Sequence, residues 1–329
     1  MSRWAIGIDL GGTAIKAAAV GEERGILISS SNLTDTASGP SGIVRQLAAI
    51  IADLYRNASL TNDPADFAGV GLGVPGAVNA EKGTLSYPPN LPGWTIFPLR
   101  EELQVCLKEQ EGLSMAAFLD NDANAAAFGE AVYGAGRQFR DFLMVTLGTG
   151  VGGGIVLNRK IYRGSNGTAG EVGFLIIDFE GSSIHAGIRG TLESLIGKER
   201  IVELARRMIE ASSVDSSVGI LCGHDYTRLS PRHLERAALD GDEVSLAVWQ
   251  RVGSILGVGL ANVTALMDIR KFVIGGGIAA AGNLIFEPAL SQLAMSTLPS
   301  MHEGLELVPA LLGNKAGIHG AAALCFGEP

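Results

Sequence analysis

The stretch LGTGVGGGIVLN, Leu147 to Asn158, constrains this chain more than any other. A strand-like run, FLMVTLG, leads into it and a second, GIVLNRK, leads out. Five of the eight residues from Gly148 to Ile155 are glycine, a residue that weakens strand interiors and marks bends or close backbone approach. The stretch predicts a hairpin whose tight turn aims backbone N–H groups at an anion, with no Cβ atoms in the way. The hydroxyl of Thr149 adds one donor. An ordinary glycine-rich hairpin would use the same residues, so the anion reading leans on the rest of the chain.

A second glycine turn supplies that support. WAIGIDLGGTAIKAAAV, Trp4 to Val20, begins as an apolar strand, turns at Gly11-Gly12-Thr13 and resumes as a second apolar run. Asp9 ends the first strand, where a carboxylate beside a phosphate loop can hold magnesium through water. These residues also suit a plain turn between strands. Two such hairpins, each with a threonine, can cup a polyphosphate from two sides. Gly11, Gly12 and Thr13 would form one side, and Gly148, Thr149 and Gly150 the other.

Between and beyond these turns, the chain alternates apolar strands with helical periodicity. Ser41 to Tyr55 carries apolar residues at helical spacing, and FAGVGLGVPGAV is a buried strand ending in a Pro-Gly turn. The prolines of TLSYPPNLPGWTIFPL predict an ordered loop, with Asn90 on the stiff wall of a small polar pocket or simply forming a turn. AAFLDNDANAAAFGEAVYGAG reads as a strand, then Asn121-Asp122, then an Ala-rich helix. Asp122 could cap that helix or accept a proton from a hydroxyl nucleophile, and both roles stay open. Glu171 lies in a glycine-spaced segment, and Glu193 opens a helix, where an acidic residue suits the dipole. His185 is a lone histidine with no assigned role. Leu195–Ala211, Pro231–Leu239 and Asp242–Met267 are predicted helices. In VIGGGI, the triple glycine Gly275-Gly276-Gly277 could let an adenine or ribose lie on the backbone, or serve as a tight strand–helix junction.

The 329 residues suffice for two ordinary domains or one large one. Apolar residues make up 47% and charged residues 18%, which suits α/β cores rather than disorder. A net charge of −9 without a basic run argues against nucleic acid or an anionic membrane as partner. The three cysteines form no C-x-x-C pair, no signal peptide precedes Trp4, and apolar runs break short of a membrane span. A cytoplasmic location is therefore expected.

In this order, GIDLGGTAIK, GVPGAV with PPNLPGW, LDNDANAAAFGE, LGTGVGGGIV and VIGGGI resemble the motifs of the ROK family of bacterial sugar kinases and regulators. The resemblance covers nearly the whole chain. It implies two α/β domains of the actin-like ATPase (ribonuclease H-like) fold around a central cleft. The expected boundaries are 1–118 and 119–311, with a helix near 312–329 packing back on the first domain. It further implies ATP and Mg²⁺, with Asp122 as general base toward a sugar hydroxyl. Asn90, Asn121, Asp122, Glu171 and Glu193 would bind the sugar, and a homodimer is expected. Asp9 with the two phosphate turns, and Gly275 to Gly277 at the adenosine, would serve the nucleotide.

One segment departs from the family pattern. Where relatives carry E-x-G-H and then C-x-C-G-x-x-G-C-x-E around a structural zinc, this chain has Phe174, Ile184, Ala186 and Thr191 at the four ligand positions. None of these binds zinc tightly, so no structural zinc is expected, and apolar packing is expected to hold the loop. Phe174 also stands where the family histidine lies near the sugar, which implies an altered substrate preference. The leading function is an ATP-dependent hexose kinase, with glucose foremost. The alternatives are a polyphosphate-dependent kinase and a non-catalytic sugar-binding regulator. Regulators of this family carry a helix-turn-helix domain ahead of the core, for which a first strand at Trp4 leaves no room.

Overall fold

The computed structural model describes residues 2–327, so residues 1, 328 and 329 of the expected ranges lie outside the described residues. The chain divides into two units. One comprises the residues up to Asp141, Gly154–Gly170 and the chain from Leu311 onward, and the other Phe142–Gly153 and Glu171–Ala310. The boundary expected at residue 118 falls inside a strand, and the helix after it belongs to the first unit.

That unit contains β1 (Trp4–Leu10), β2 (Ala14–Gly21), β3 (Gly25–Leu33), α1 (Gly39–Ala58), β4 (Phe67–Val74), β5 (Ala77–Asn79), β6 (Thr84–Ser86), β7 (Ile96–Phe97), α2 (Leu99–Glu111), β8 (Ala117–Asn121) and α3 (Asp122–Tyr133). Its main sheet has the order β3-β2-β1-β4-β8. The first three strands form an antiparallel meander, while β4 pairs parallel with β1 and β8. The period-2 alternation of β1 decides what covers each face. Trp4, Ile6, Ile8 and Leu10 pack with Ile43, Leu47 and Ile51 of α1. Each such side chain contributes about 1.5–3 kcal/mol by leaving water. Ala5, with Ala18 and Val20 of β2, packs instead with Ile318, Ala322 and Cys325 near the end of the chain. The proline-rich segment is not all loop: β5, β6 and β7 form a small antiparallel sheet around it.

The second unit starts with β9 (Phe142–Leu147), and β10 (Val151–Leu157) carries the chain back to the first unit, where it pairs with β11 (Lys160–Ile161). The strand begins earlier than the run GIVLNRK, because Val151, Gly152 and Gly153 also lie within β10. A Cβ on Gly154 would stand 2.6 Å from the Ala127 Cβ and 2.8 Å from the Ala123 carbonyl. Close packing of α3 on the strand is what needs glycine there.

The rest of the second unit comprises β12 (Ile184–His185), β13 (Ile188–Arg189), α4 (Leu192–Ile196), α5 (Lys198–Ala211), α6 (Val218–Leu221), α7 (Pro231–Leu239), α8 (Glu243–Met267), β14 (Lys271–Gly275), α9 (Asn283–Met295) and β15 (Glu306–Pro309). Strand β14 pairs parallel with both β9 and β15. Helix α8 is long and apolar enough by length and composition to cross a membrane, contrary to the reading of its glycines as breaks. Two thirds of its most apolar stretch is buried, 67%, as in a core helix. The chain ends in α10 (Ala316–Leu324), which packs on β1, β4 and α3 within the first unit.

Candidate active site

In the first unit, the turn between β1 and β2 is closed by the Gly11 N–H donating to the Ala14 carbonyl at 3.0 Å. Thr34, just past β3, braces it: its N–H donates to the Thr13 carbonyl and its hydroxyl to the Gly11 carbonyl at 2.6 Å. Among the described residues, the N–H groups of Gly12 and Thr13 donate to no protein acceptor, which fits an anion cradle. Gly12 also abuts the predicted sugar loop, since a Cβ there would lie 2.7 Å from the Asn90 Cβ. Asn90 is exposed, at φ 65°, a left-handed conformation that asparagine tolerates better than most residues.

Asp9 is paired across the β1–β2 ladder with Lys16. The Lys16 Nζ stands 3.8 Å from Asp9 Oδ2. Burial raises the Asp9 carboxyl above its usual range, and the charge of Lys16 partly offsets that. Lys16 is a cation beside the Gly11–Thr13 turn that the motif reading passed over. The register of β1 and β2 would have revealed it.

The β8–α3 corner is held by an interlocked set of polar side chains. Asn121 is the N-cap of α3: its Oδ1 accepts from the N–H groups of Ala123 and Asn124, and its Nδ2 donates to the Gly76 carbonyl at 3.0 Å. Asp122 is therefore not the capping residue. It is the first residue of the helix, and its Oδ1 accepts from the Ala123 N–H at 2.8 Å. Asp120, buried to 2% exposure, accepts from the Asn121 N–H, the Asn124 side chain and, at 2.7 Å, the Arg163 Nε. Asp120 was not singled out in the sequence, although the D-N-D triplet held the signal. A buried carboxylate with a guanidinium partner fixes the backbone that presents Asp122.

In the second unit, the hairpin turn Gly148-Thr149-Gly150 is closed by the Gly148 N–H donating to the Gly150 carbonyl at 2.9 Å. Glu193, in the first turn of α4, reaches this hairpin, and its Oε2 accepts from the Val151 N–H at 2.7 Å. A Cβ on Gly150 would collide with that carboxylate. The Lys198 N–H, at the start of α5, donates to the Gly148 and Thr149 carbonyls at 3.2 and 3.3 Å. The VIGGGI turn is tied to the same hairpin, through the Ile278 N–H donating to the Leu147 carbonyl at 3.1 Å. Gly276 and Gly277 make that turn, whereas Gly275 ends β14, facing Met144 and Ala310. Glu171 has its carboxyl pushed up, first by burial and then by the charge of Glu193.

The segment with the four altered ligand positions is not held mainly by apolar packing, as expected. Ile184 is 49% exposed and Phe174 36%. Backbone bonds close it instead: the N–H groups of Ile177 and Asp178 donate to the Gly190 carbonyl, that of Gly190 to Ser183, and that of Leu192 to Leu175. Thr191 is buried as the N-cap of α4, accepting from the Ser194 N–H. His185, given no role from the sequence, places Nε2 2.7 Å from Glu193 Oε1. Among the described residues, no group of three or more His, Cys, Asp or Glu side chains is arranged to hold a metal.

The family model described as ROK family matches residues 5–328. A glucokinase of Halalkalibacterium halodurans is 33% identical over 326 residues, covering 98% of this chain and 94% of that protein. The structure of a ROK family glucokinase from Streptomyces griseus in complex with glucose and AMPPNP aligns at TM-score 0.78 and 31% identity, over 98% of both chains. A xylose repressor of Caldicellulosiruptor bescii is 26% identical over 87% of this chain and 69% of its own length.

Proposed function

The chain belongs to the ROK family, a sugar-kinase group of actin-like ATPase fold, and from that premise we propose that it is an ATP-dependent hexose kinase. The leading substrate is glucose, in keeping with the glucokinase relatives. The observation that carries this reading is the β8–α3 corner. Asn121 does the capping, Asp120 and Arg163 fix the backbone, and a carboxylate, Asp122, stands at the first helical residue.

Asp122 would take the proton from the sugar hydroxyl as its oxygen attacks the γ-phosphorus of ATP and ADP leaves with the β–γ bridging oxygen. Most of the barrier reduction in phosphoryl transfer comes from positioning and charge neutralisation. The open N–H groups of Gly12 and Thr13 and the hydroxyls of Thr13 and Thr149 suit the phosphate oxygens. Asp9 would hold a magnesium ion through water, since its buried carboxylate would gain from a cation and Lys16 stands off at 3.8 Å. When bound, magnesium neutralises phosphate charge. Asn90, Asn121, Glu171 and Glu193 supply hydrogen-bonding groups for the remaining sugar hydroxyls, so that a wrong epimer leaves partners unsatisfied. A cytoplasmic location accompanies this reading.

The test is ADP release with Mg·ATP across glucose, mannose, fructose, N-acetylglucosamine, N-acetylmannosamine and allose, for the natural protein and Asp122→Asn. The natural protein should turn over at least one sugar. Asp122→Asn should lose about 10²–10⁴-fold in kcat while calorimetry still detects sugar binding. Full activity in the variant would remove Asp122 from the base role. Sugar binding without turnover by any phosphoryl donor would move the protein to the company of its repressor relative.

A further inference from the structure

We propose that His185 is a positioning residue. Through Glu193 it orders the Gly148–Gly150 hairpin and selects which acceptor positions of Glu193 are left for a polyhydroxyl ligand. The ligand half of this statement rests on the kinase reading, while the ordering half does not.

The two oxygens of Glu193 are divided. Oε2 accepts from the Val151 N–H at 2.7 Å, at the exit of the phosphate turn, and Oε1 faces His185 Nε2 at 2.7 Å. At that separation an Nε2 that carries a proton pairs the imidazole with the carboxylate. A carboxylate offers about four acceptor positions, and with two engaged, one stays open on each oxygen. The direction of each open position is set by what the other holds.

Three further features converge on this contact. The His185 ring lies 5.8 Å from that of Phe174, tilted by 47°, so an aromatic face supports it on another side. Glu193 feels a like charge from Glu171, and a donor on Oε1 offsets that repulsion without moving Oε2 off the hairpin. Glu193 itself rides on α4, a helix of five residues anchored by the buried Leu192, Ser194 and Ile196, so its carboxylate is presented from a packed base. The side chain of Glu193 is only 18% exposed, whereas that of His185 is 42% exposed. The histidine is thus the more solvent-exposed partner of the pair. Phe174 and His185 lie at and between the positions where family relatives carry metal ligands. A ring contact and one close N···O contact make the connection here.

The experiment compares the natural protein with His185→Leu and His185→Gln. Gln is chosen because its amide nitrogen reaches about as far as Nε2 and can still donate. Amide hydrogen exchange of the segment 147–155, without ligands, is the first readout. His185→Leu should speed exchange there by about tenfold, the scale of one lost hydrogen bond to a charged group. His185→Gln should stay near the natural rate. The second readout is kinetic. His185→Leu should raise the sugar KM by about tenfold with a smaller change in kcat, and Gln should restore it. Exchange unchanged in Leu, or equally fast in Leu and Gln, would overturn the proposal. A natural protein silent in the kinase assay would defeat the functional reading alone, because the exchange comparison needs no turnover.

Discussion

Gly12 lies directly against Asn90: a Cβ on the glycine would stand 2.7 Å from the asparagine Cβ and 2.8 Å from its carbonyl oxygen. The Gly11–Thr13 turn and the loop carrying Asn90 therefore share a contact that no larger residue can enter. Half of that contact is backbone, which cannot swing aside as a long side chain would. Gly12→Ala should cost about 1–3 kcal/mol in stability, measured by urea unfolding, and should raise the KM for both sugar and ATP. An increase confined to ATP would mean that the loop yields independently of the turn.

Glu171 makes stability depend on pH in a definite direction. Its folded carboxyl titrates above the ordinary value of 4.5, chiefly through burial and then through Glu193. Below the unfolded value both states hold the proton and there is no penalty. As pH rises through the raised folded value, the unfolded chain ionises more readily and native stability falls. Glu171→Gln should therefore match the natural protein in acid and melt higher at neutral pH, with weaker sugar binding. Melting curves across that range, read with calorimetry for the sugar, check both. A stability gain that is the same at every pH would contradict this account.

Glu130 is wholly buried in α3, and its two oxygens accept from the N–H groups of Ala135, Leu311 and Leu312. Its carboxylate fastens the segment that leads into α10. Glu130→Ala should cost at least about 2 kcal/mol, because partly buried donors lose their acceptor. Glu130→Gln, which keeps one acceptor oxygen, should lose less. Equal losses in the two variants would show that packing, and not the acceptors, is what matters.

The purified protein should contain no stoichiometric zinc, and Phe174→His should not recover it. Ile184, Ala186 and Thr191 would still occupy the other three ligand positions, and one imidazole does not make a tetrahedral site. Elemental analysis of both proteins decides the matter. One zinc per chain in the natural protein would refute this reading of the segment.

The local features were the legible ones. The turns at Gly11–Thr13 and Gly148–Gly150, the helices α1, α7 and α8, and the Asn121-Asp122 corner follow from residue type and spacing over a few positions. The sequence left the cap of α3 open between base and cap roles for Asp122. Geometry gave it to Asn121, whose amide also reaches Gly76, 45 residues away. Gly152 and Gly153 read as turn residues because glycine is a poor strand former, yet both lie within β10. The Glu130 contacts span 181 and 182 residues, and no periodicity encodes those. His185 was given no role because a lone histidine acquires meaning only once the β12–β13 hairpin places it beside Glu193.

The return of α10 to β1 and β4 has a consequence for synthesis. Ala5, Ala18 and Val20 wait for Ile318, Ala322 and Cys325 to cover them, and the whole second unit is translated in between. At about 5–20 residues per second, one face of the first sheet stays bare for on the order of ten seconds or more after its strands leave the ribosome. The second unit can close first, although it is encoded later. A stop codon just before Ala316 would leave the N-terminal sheet permanently open on that face, a substrate for chaperones and proteases.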